Sequence, residues 1–375
     1  MSSLSLPLFR RIIRSLSPQQ NNLVGAFAYG SVVFPQHGRP SGNGQIDLVL
    51  IVTNPVQWHF SNIQRHPEHY NMLMRTVKHK SYMPFALRAI LTGWPGPRVY
   101  YNPLVQWHDD QGTGSTLMLK YGVACLDDVI SDLNTWSNLY VAGRLHKPVL
   151  WLPISDVEHG KTWTGEQSSY APLDKAQKAN LLAALSYVLL TFVPAQHTIP
   201  ESDLFHALAS ISYSGDWRMI VGEDRNKVTR LVTGLERVTR FRQLYAPCFS
   251  DPSIREFVSF KPLTEAETKD QFALHIIPPR NDPSLIERLL NNLPERLRSI
   301  AVQSKSNTKG QWSIHMPTMN TVQTKVKRAV EGTVRRSSIQ QTALGVISAG
   351  PVRSVLYAAA KLRKMFASLG IVKWS

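Results

Sequence analysis

The chain has 375 residues, 43% hydrophobic and 18% charged, with 9 Trp, 12 Tyr and 13 Phe, which is too apolar for a disordered protein and long enough for two folded units. Its 42 Lys and Arg against 26 Asp and Glu leave a net charge of +16, a balance that implies an anionic partner: a nucleotide, a nucleic acid or an acidic membrane surface. Cys125 and Cys248 are the only cysteines, too few for a disulfide scaffold and without the paired spacing of a zinc site.

Residues 1–20 (MSSLSLPLFRRIIRSLSPQQ) contain no acid, combine Ser with Arg10, Arg11 and Arg14, and place Leu6, Phe9, Ile13 and Leu16 at helical spacing. The pattern fits a mitochondrial import segment and equally the first amphipathic helix of the following domain. Two apolar runs, 24–29 (VGAFAY) and 46–52 (IDLVLIV), read as buried strands separated by a Gly- and Pro-rich loop. Residues 57–77 read as helix, with Pro67 placed to break it. Strands are expected at 98–102 and 116–123, then a helix over 126–139.

From about residue 153 the pattern turns helical, with segments near 172–194, 201–211, 221–243 and 283–303. The most apolar of these, LLAALSYVLLTFVPA at 181–195, is about fifteen residues against the roughly twenty that a spanning helix needs. Residues 304–310 (SKSNTKG) read as a linker. Beyond it, 351–369 forms a basic amphipathic pattern: Val352, Val355, Leu356, Ala359, Leu362, Phe366 and Leu369 on one side, Arg353, Lys361 and Lys364 on the other, with Arg363 the exception near the apolar side. Such a segment, with Trp374 after it, suits the headgroup region of an anionic membrane, and equally an ordinary docking helix.

The candidate carriers of chemistry are Gly30 and Ser31 at the end of the first strand and Asp47 on the second, for which a helix cap at Ser31 and a turn residue at Asp47 are the alternative readings. Nucleotidyl transfer needs carboxylates to hold divalent metal and backbone or hydroxyl donors to hold the terminal phosphates. A Gly-Ser turn beside a strand bearing Asp supplies both kinds of group, the arrangement of polymerase-beta-like nucleotidyltransferases. Their acids alternate along the strand so that residues two apart share a face. Here the pattern is half filled, because the same-face neighbours of Asp47 are Gln45 and Val49. Other site chemistries are disfavoured: there is no Gly-x-x-x-x-Gly-Lys-Ser/Thr loop and no Gly-x-Ser-x-Gly elbow. His59, His66 and His69 lack the His-x-x-x-His spacing of a helical metal pair, and Pro67 interrupts them.

The longer strings are specific. AFAYGSVVFPQ at 26–36, IDLVLIV, NPVQWH, the His69-Tyr70 pair, VYYN at 99–102, LKYGV at 119–123, DLNTWSNLYVAGRLHKPV at 132–149, ISYSGDWRM at 211–219 and EDRNKV at 223–228 closely resemble the mitochondrial phosphatidate cytidylyltransferases, also called mitochondrial translocator assembly and maintenance proteins. The resemblance covers nearly the whole chain. It implies an α+β fold: a polymerase-beta-like nucleotidyltransferase domain (mixed sheet with flanking helices) over 21–155, a mostly helical second domain over 156–303, and a linker with a C-terminal amphipathic helix over 304–375. It further implies CTP and phosphatidate as substrates, CDP-diacylglycerol and pyrophosphate as products, Mg2+ as cofactor, a role in cardiolipin synthesis, and a peripheral place on the matrix side of the inner membrane.

Carried over residue by residue, Gly30 and Ser31 match the phosphate-holding turn and Asp47 the metal-binding acid. Asp216, in the matching ISYSGDWRM string, is a second candidate acid for the same metals, or an N-cap for the helix after it. Lys120, Arg144 and Lys147 sit in matched strings and are candidate partners for a triphosphate of roughly four negative charges, and solvated surface roles suit them as well. Tyr101 and Asn102 are candidate readers of the cytosine ring. Thr53 and Asn54 stand where acids are common in the family. Nucleotidyl transfer to RNA is the alternative chemistry, disfavoured because no RNA-binding module is evident; a non-catalytic maintenance protein of the import machinery is the other alternative.

Overall fold

The computed structural model of the chain describes residues 6–17, 22–34, 44–76, 84–109, 112, 114–152, 170–192, 198–221, 227–262, 272–276, 282–302 and 318–349. The amphipathic segment 351–369 and Trp374 lie outside the described residues. Helix α1 (Leu6–Leu16) leads into strands β1 (Leu23–Tyr29) and β2 (Gln45–Val52). Helices α2 (Pro55–Arg65), α3 (Met72–Arg75) and α4 (Phe85–Leu91) precede strands β3 (Val99–His108) and β4 (Thr116–Cys125). Then come α5 (Leu126–Thr135), α6 (Val141–Leu145), β5 (Leu150–Trp151) and α7 (Ala171–Thr191).

The later part holds β6 (Thr198–Pro200), α8 (Glu201–Ser210), α9 (Arg218–Val221), α10 (Lys227–Val232), α11 (Leu235–Phe249), β7 (Val258–Pro262), β8 (Phe272–Ile276), α12 (Pro283–Asn291), α13 (Glu295–Val302) and α14 (Met319–Ala349). The protein is α+β, with a mixed five-stranded sheet of order β3-β4-β2-β1-β5 and flanking helices. β2 and β4 are parallel and the other neighbours antiparallel. A second sheet, β6-β8-β7, has three strands.

The large sheet is buried on both faces, which is why β1 and β2 read as continuous apolar runs rather than alternating ones. One face presents Phe27, Val49, Ile51, Val99, Tyr101 and Ala124 to a core that runs on through α5, α7 and the later helices as far as Val334 of α14. The other presents Ala26, Ala28, Leu48, Leu50, Leu119, Tyr121 and Val123 to α1, whose Phe9, Ile12, Ile13 and Leu16 are all buried there. Residues 6–16 are thus the first helix of the fold, clamped also by Arg11, whose Nε and Nη2 donate to Asp109 at 2.7 and 2.8 Å. Among the described residues, no helix is long and apolar enough to cross a membrane.

Several expected boundaries shift for local reasons. The helix expected over 126–139 stops at Thr135, because Trp136 turns left-handed (φ 52°). The segment expected over 221–243 divides around Gly234 (φ 103°) into α10 and α11, and the one over 283–303 divides before Pro294 into α12 and α13. The three-stranded sheet and the 31-residue α14 had no counterpart in the sequence reading. Pro67 does end α2's helical run: a 3-10 turn, Pro67–His69, follows.

Two buried histidines tie this architecture to pH. His59 and His146 are fully enclosed, and burial lowers each from 6.5 to about 3. Both are neutral in the fold, so between about pH 6.5 and 3 the unfolded chain binds protons that the folded chain refuses. Stability present above pH 6.5 is therefore lost as pH falls, each histidine contributing a slope that approaches about 1.4 kcal/mol per pH unit. Urea titrations from neutral pH to about pH 4 are expected to show this decline. A His59→Gln variant is expected to show a flatter pH dependence whatever its stability at pH 7, and an identical slope would remove His59 from the account.

Candidate active site

Asp132 builds the wall of the site. Its carboxylate, buried in α5, accepts five backbone N–H groups: Asn138 and Leu139 on Oδ1 at 2.8 Å each, and Tyr140, Val141 and Ala142 on Oδ2 at 3.0 to 3.1 Å. Burial pushes its carboxyl up from the ordinary range, and the N–H bonds pull it back down. Tyr140, Val141 and Ala142 are donors that the start of α6 leaves without helical partners, and Asn138 and Leu139 belong to the turn before it, so one side chain ends α5, reverses the chain and starts α6.

From the other side α7 and α11 hold the same segment. Asn180 Oδ1 accepts from Trp136 Nε1 at 2.8 Å and from His146 Nε2 at 3.0 Å, while its Nδ2 donates to Ala142 O. Gln177 Nε2 donates to Leu145 O at 2.8 Å, and the Tyr245 hydroxyl to His146 O at 3.0 Å. Tyr140, Arg144 and Lys147 are thereby set against the sheet.

On the sheet, register does the positioning. Asp47 pairs with Tyr29 of β1 on one side and Lys120 of β4 on the other, so all three share one face. Gly30 follows directly with φ 93°, a conformation that side chains rarely adopt. A β-carbon there would lie 3.0 Å from Asp47 Oδ2. Glycine thus keeps the space at the carboxylate open, and Ser31 follows exposed.

Three phenols extend the site. The Tyr29 and Tyr101 hydroxyls are 3.5 Å apart, and the Tyr101 and Tyr140 rings meet edge-on at 6.3 Å. Desolvation first, then the Asp47 charge, raises Tyr29 well above the ordinary 10; Tyr101 and Tyr140 are raised too, chiefly by burial. All three are protonated donors at neutral pH. Cations cover them: Arg144 lies 4.6 Å over the Tyr29 ring and the Lys120 ammonium 4.7 Å over Tyr101.

An open cleft adjoins Gly30 and Ser31, lined by Phe34, Arg144, Lys147, Pro148, Leu231, Arg237, Arg240 and Phe241. It brings four cationic residues to the Gly-Ser turn. Arg237 donates to Phe34 O at 3.2 Å, and Arg240 stacks on the Phe34 ring at 4.8 Å. Lys147 is buried: its ammonium donates to Gly143 O at 2.5 Å and Ser212 Oγ at 2.6 Å, and burial lowers its pKa well below 10.5. Arg237 and Arg240 were missed from the sequence, although their spacing of three on α11 puts them on one helix face.

Two expected residues stand differently. Asp216 is buried and its two carboxylate oxygens accept from Arg218 Nε and Nη2 at 2.7 to 3.1 Å, with Arg218 N donating to Oδ1 at 3.0 Å. This is the capping geometry weighed against a metal role, with the guanidinium added. Arg218 in turn acts electrostatically on Tyr140, as does Lys120, so the pair borders the phenol row. Asn102 is not brought to the site. It pairs in register with Tyr121 on the sheet's other face, within hydrogen-bonding influence of Tyr70 and Tyr121.

The profile of the family described as "Phosphatidate cytidylyltransferase, mitochondrial" matches residues 9–364. The chain belongs to this family. A protein of that name from Danio rerio is 33% identical over 96% of this chain and 95% of its own length. Namesakes from Mus musculus and Schizosaccharomyces pombe are 32% and 30% identical, covering 94% and 90% of this chain and 94% and 79% of their own lengths.

The Asp132 grip yields a test of how the site is built. Asp132→Ala leaves five N–H groups to find other partners and is expected to lower the unfolding free energy by roughly 3 kcal/mol or more. Denaturant titration reads this directly, and an unchanged midpoint would mean that α6 holds its place without the carboxylate.

Proposed function

We propose that the protein transfers the cytidylyl group of CTP to phosphatidate, making CDP-diacylglycerol and pyrophosphate. The observation that carries the reading is the Asp47 carboxylate beside Gly30, the residue that with Ser31 borders a cation-lined cleft. The sheet is then a polymerase-beta-like nucleotidyltransferase core. A phosphate oxygen of phosphatidate attacks the α-phosphorus of CTP in line, the bond to the bridging oxygen breaks, and pyrophosphate leaves. Gly30 and Ser31 hold the terminal phosphates; Arg144, Arg237 and Arg240 neutralise them, and Lys147 stiffens the cleft from beneath.

The donors present fit a hard divalent ion: a carboxylate beside a backbone turn that only glycine leaves open. Asp47 would hold Mg2+, which neutralises charge on the triphosphate. The Asp216 carboxylate serves the site through Arg218, a cation that acts on Tyr140. Tyr101 and Tyr140 supply phenolic donors for substrate oxygens. The basic segment 351–369 lies on the anionic matrix face of the inner membrane, where phosphatidate is presented and the product feeds cardiolipin synthesis.

Purified protein incubated with labelled CTP, Mg2+ and phosphatidate vesicles, or with RNA, tests the assignment. CDP-diacylglycerol is expected, and extended RNA or no product would overturn it. Asp47→Ala is expected to abolish product while melting like the wild type; normal turnover would remove Asp47 from the chemistry. Arg240→Gln is expected to raise the KM for CTP roughly tenfold, as loss of one charge-assisted contact does. If instead only the dependence on phosphatidate shifted, the cleft would belong to the lipid headgroup.

A further inference from the structure

On the opposite side of the sheet from Asp47, α2 ends at Arg65 and the 3-10 turn Pro67–His69 folds the chain back. The turn stacks the rings of His66 and His69 at 4.7 Å and within 6° of parallel. Glu68 projects between them, its Oε1 lying 3.3 Å from His66 Nδ1 and 3.5 Å from His69 Nε2. One donor atom from each of the three residues falls within 4.8 Å of the others. A tetrahedral ion with bonds of about 2.0–2.1 Å separates its ligand atoms by about 3.3 Å, so both Glu68 distances already equal a coordination edge.

The outer ring nitrogens are committed elsewhere, as those of metal-binding histidines usually are. His66 Nε2 lies 3.3 Å from the Ser15 carbonyl of α1. The Ser15 carbonyl and the Glu68 carboxylate both only accept, so Nε2–H serves Ser15 and the proton that Nδ1 would donate to Glu68 is released when an ion binds there. His69, with its side chain 7% exposed, places Nδ1 2.8 Å from the Tyr121 hydroxyl of β4. Donation there leaves Nε2 facing Glu68. Tyr121 is itself fixed by Asn62 Nδ2 at 2.8 Å.

We infer that His66, Glu68 and His69 form a second metal site, apart from the catalytic cleft, that takes zinc with water as the fourth ligand. Two imidazoles and one carboxylate select a borderline ion of this class, whereas Mg2+ takes oxygen donors. The ion would pin the end of α2 to α1 through Ser15 and to β4 through Tyr121. The histidine spacing alone argued against a site because it was judged for a continuous helix. The turn at Pro67 supplies the geometry instead, and the third ligand is Glu68.

Tag-free full-length protein, stripped with chelator, is titrated with Zn2+ against a chromophoric chelator. One equivalent is expected to bind, with Asp47→Ala retaining wild-type affinity and His66→Ala and Glu68→Gln each weakening it roughly tenfold or more. Zn2+ is expected to raise the melting temperature of the wild type and of Asp47→Ala, and not of His66→Ala or Glu68→Gln. Co2+ is expected to give the visible bands of a tetrahedral site in the wild type and Asp47→Ala, and not in His66→Ala or Glu68→Gln. Glu68 is 64% exposed, so Glu68→Gln reads out even if His66→Ala unsettles the fold. No stoichiometric binding, or equal affinity in wild type and Glu68→Gln, would overturn the site; loss in Asp47→Ala alone would assign the ion to the catalytic cleft.

Discussion

The carboxylate of Asp132 is the constraint on which the site depends. An isolated buried carboxylate is costly, and its cost falls only when the lost water is replaced by donors. Five backbone N–H groups replace it here. The exchange is local in sequence and rigid in space: the acceptor sits in α5 and the donors belong to the next residues of the chain. It forces Trp136 and Leu139 into left-handed backbone, a strain of order 1–2 kcal/mol each that the carboxylate bonds and the Asn180 clamp must offset. What it yields is a short α6 that could not persist alone, with Arg144 delivered over Tyr29 and Lys147 beneath the cleft.

The sheet supplies the other half by simple alternation. Along β2, Asp47 shares a face with Val49 and Ile51 while Ile46 and Leu48 point to α1. The parallel pairing of β2 with β4 puts Lys120 beside Asp47, and the antiparallel pairing with β1 puts Tyr29 on its other flank. A slip of one residue in either pairing would bury Asp47 against α1 and turn Ile46 to the cleft. The apolar residues on both sides of Asp47 therefore set the placement of the charge.

Much of this was legible in the chain. The four long strands, α7, α8 and the Gly-Ser turn read directly because apolar runs and turn residues report burial. Asn102 was misplaced toward the cleft because a string such as VYYN does not say which face each residue takes; the register with Tyr121 does. Asp132 gave no signal, since one aspartate in a helical pattern looks like a solvated side chain until its backbone donors are seen. The small second sheet was missed because its strands are short and pair across distant segments. Arg237 and Arg240 reach Gly30 from more than two hundred residues away, a long-range approach that no local pattern encodes.

The charge balance explains why a half-filled carboxylate pattern is compatible with the proposed reaction. Among the described residues, Asp47 belongs to no group of three metal-ligating side chains, and Asp216 is engaged by Arg218. Lys120 is its register neighbour, and Arg144 lies over the adjoining Tyr29 ring. A single carboxylate among cations attracts a bare dication weakly, because the like charges act at the same short range. A dication already carrying a triphosphate would meet the opposite field, with the arginines available to its phosphates and Asp47 to its cation. In the proposed reaction such a site would be matched to a metal–nucleotide complex rather than to either component.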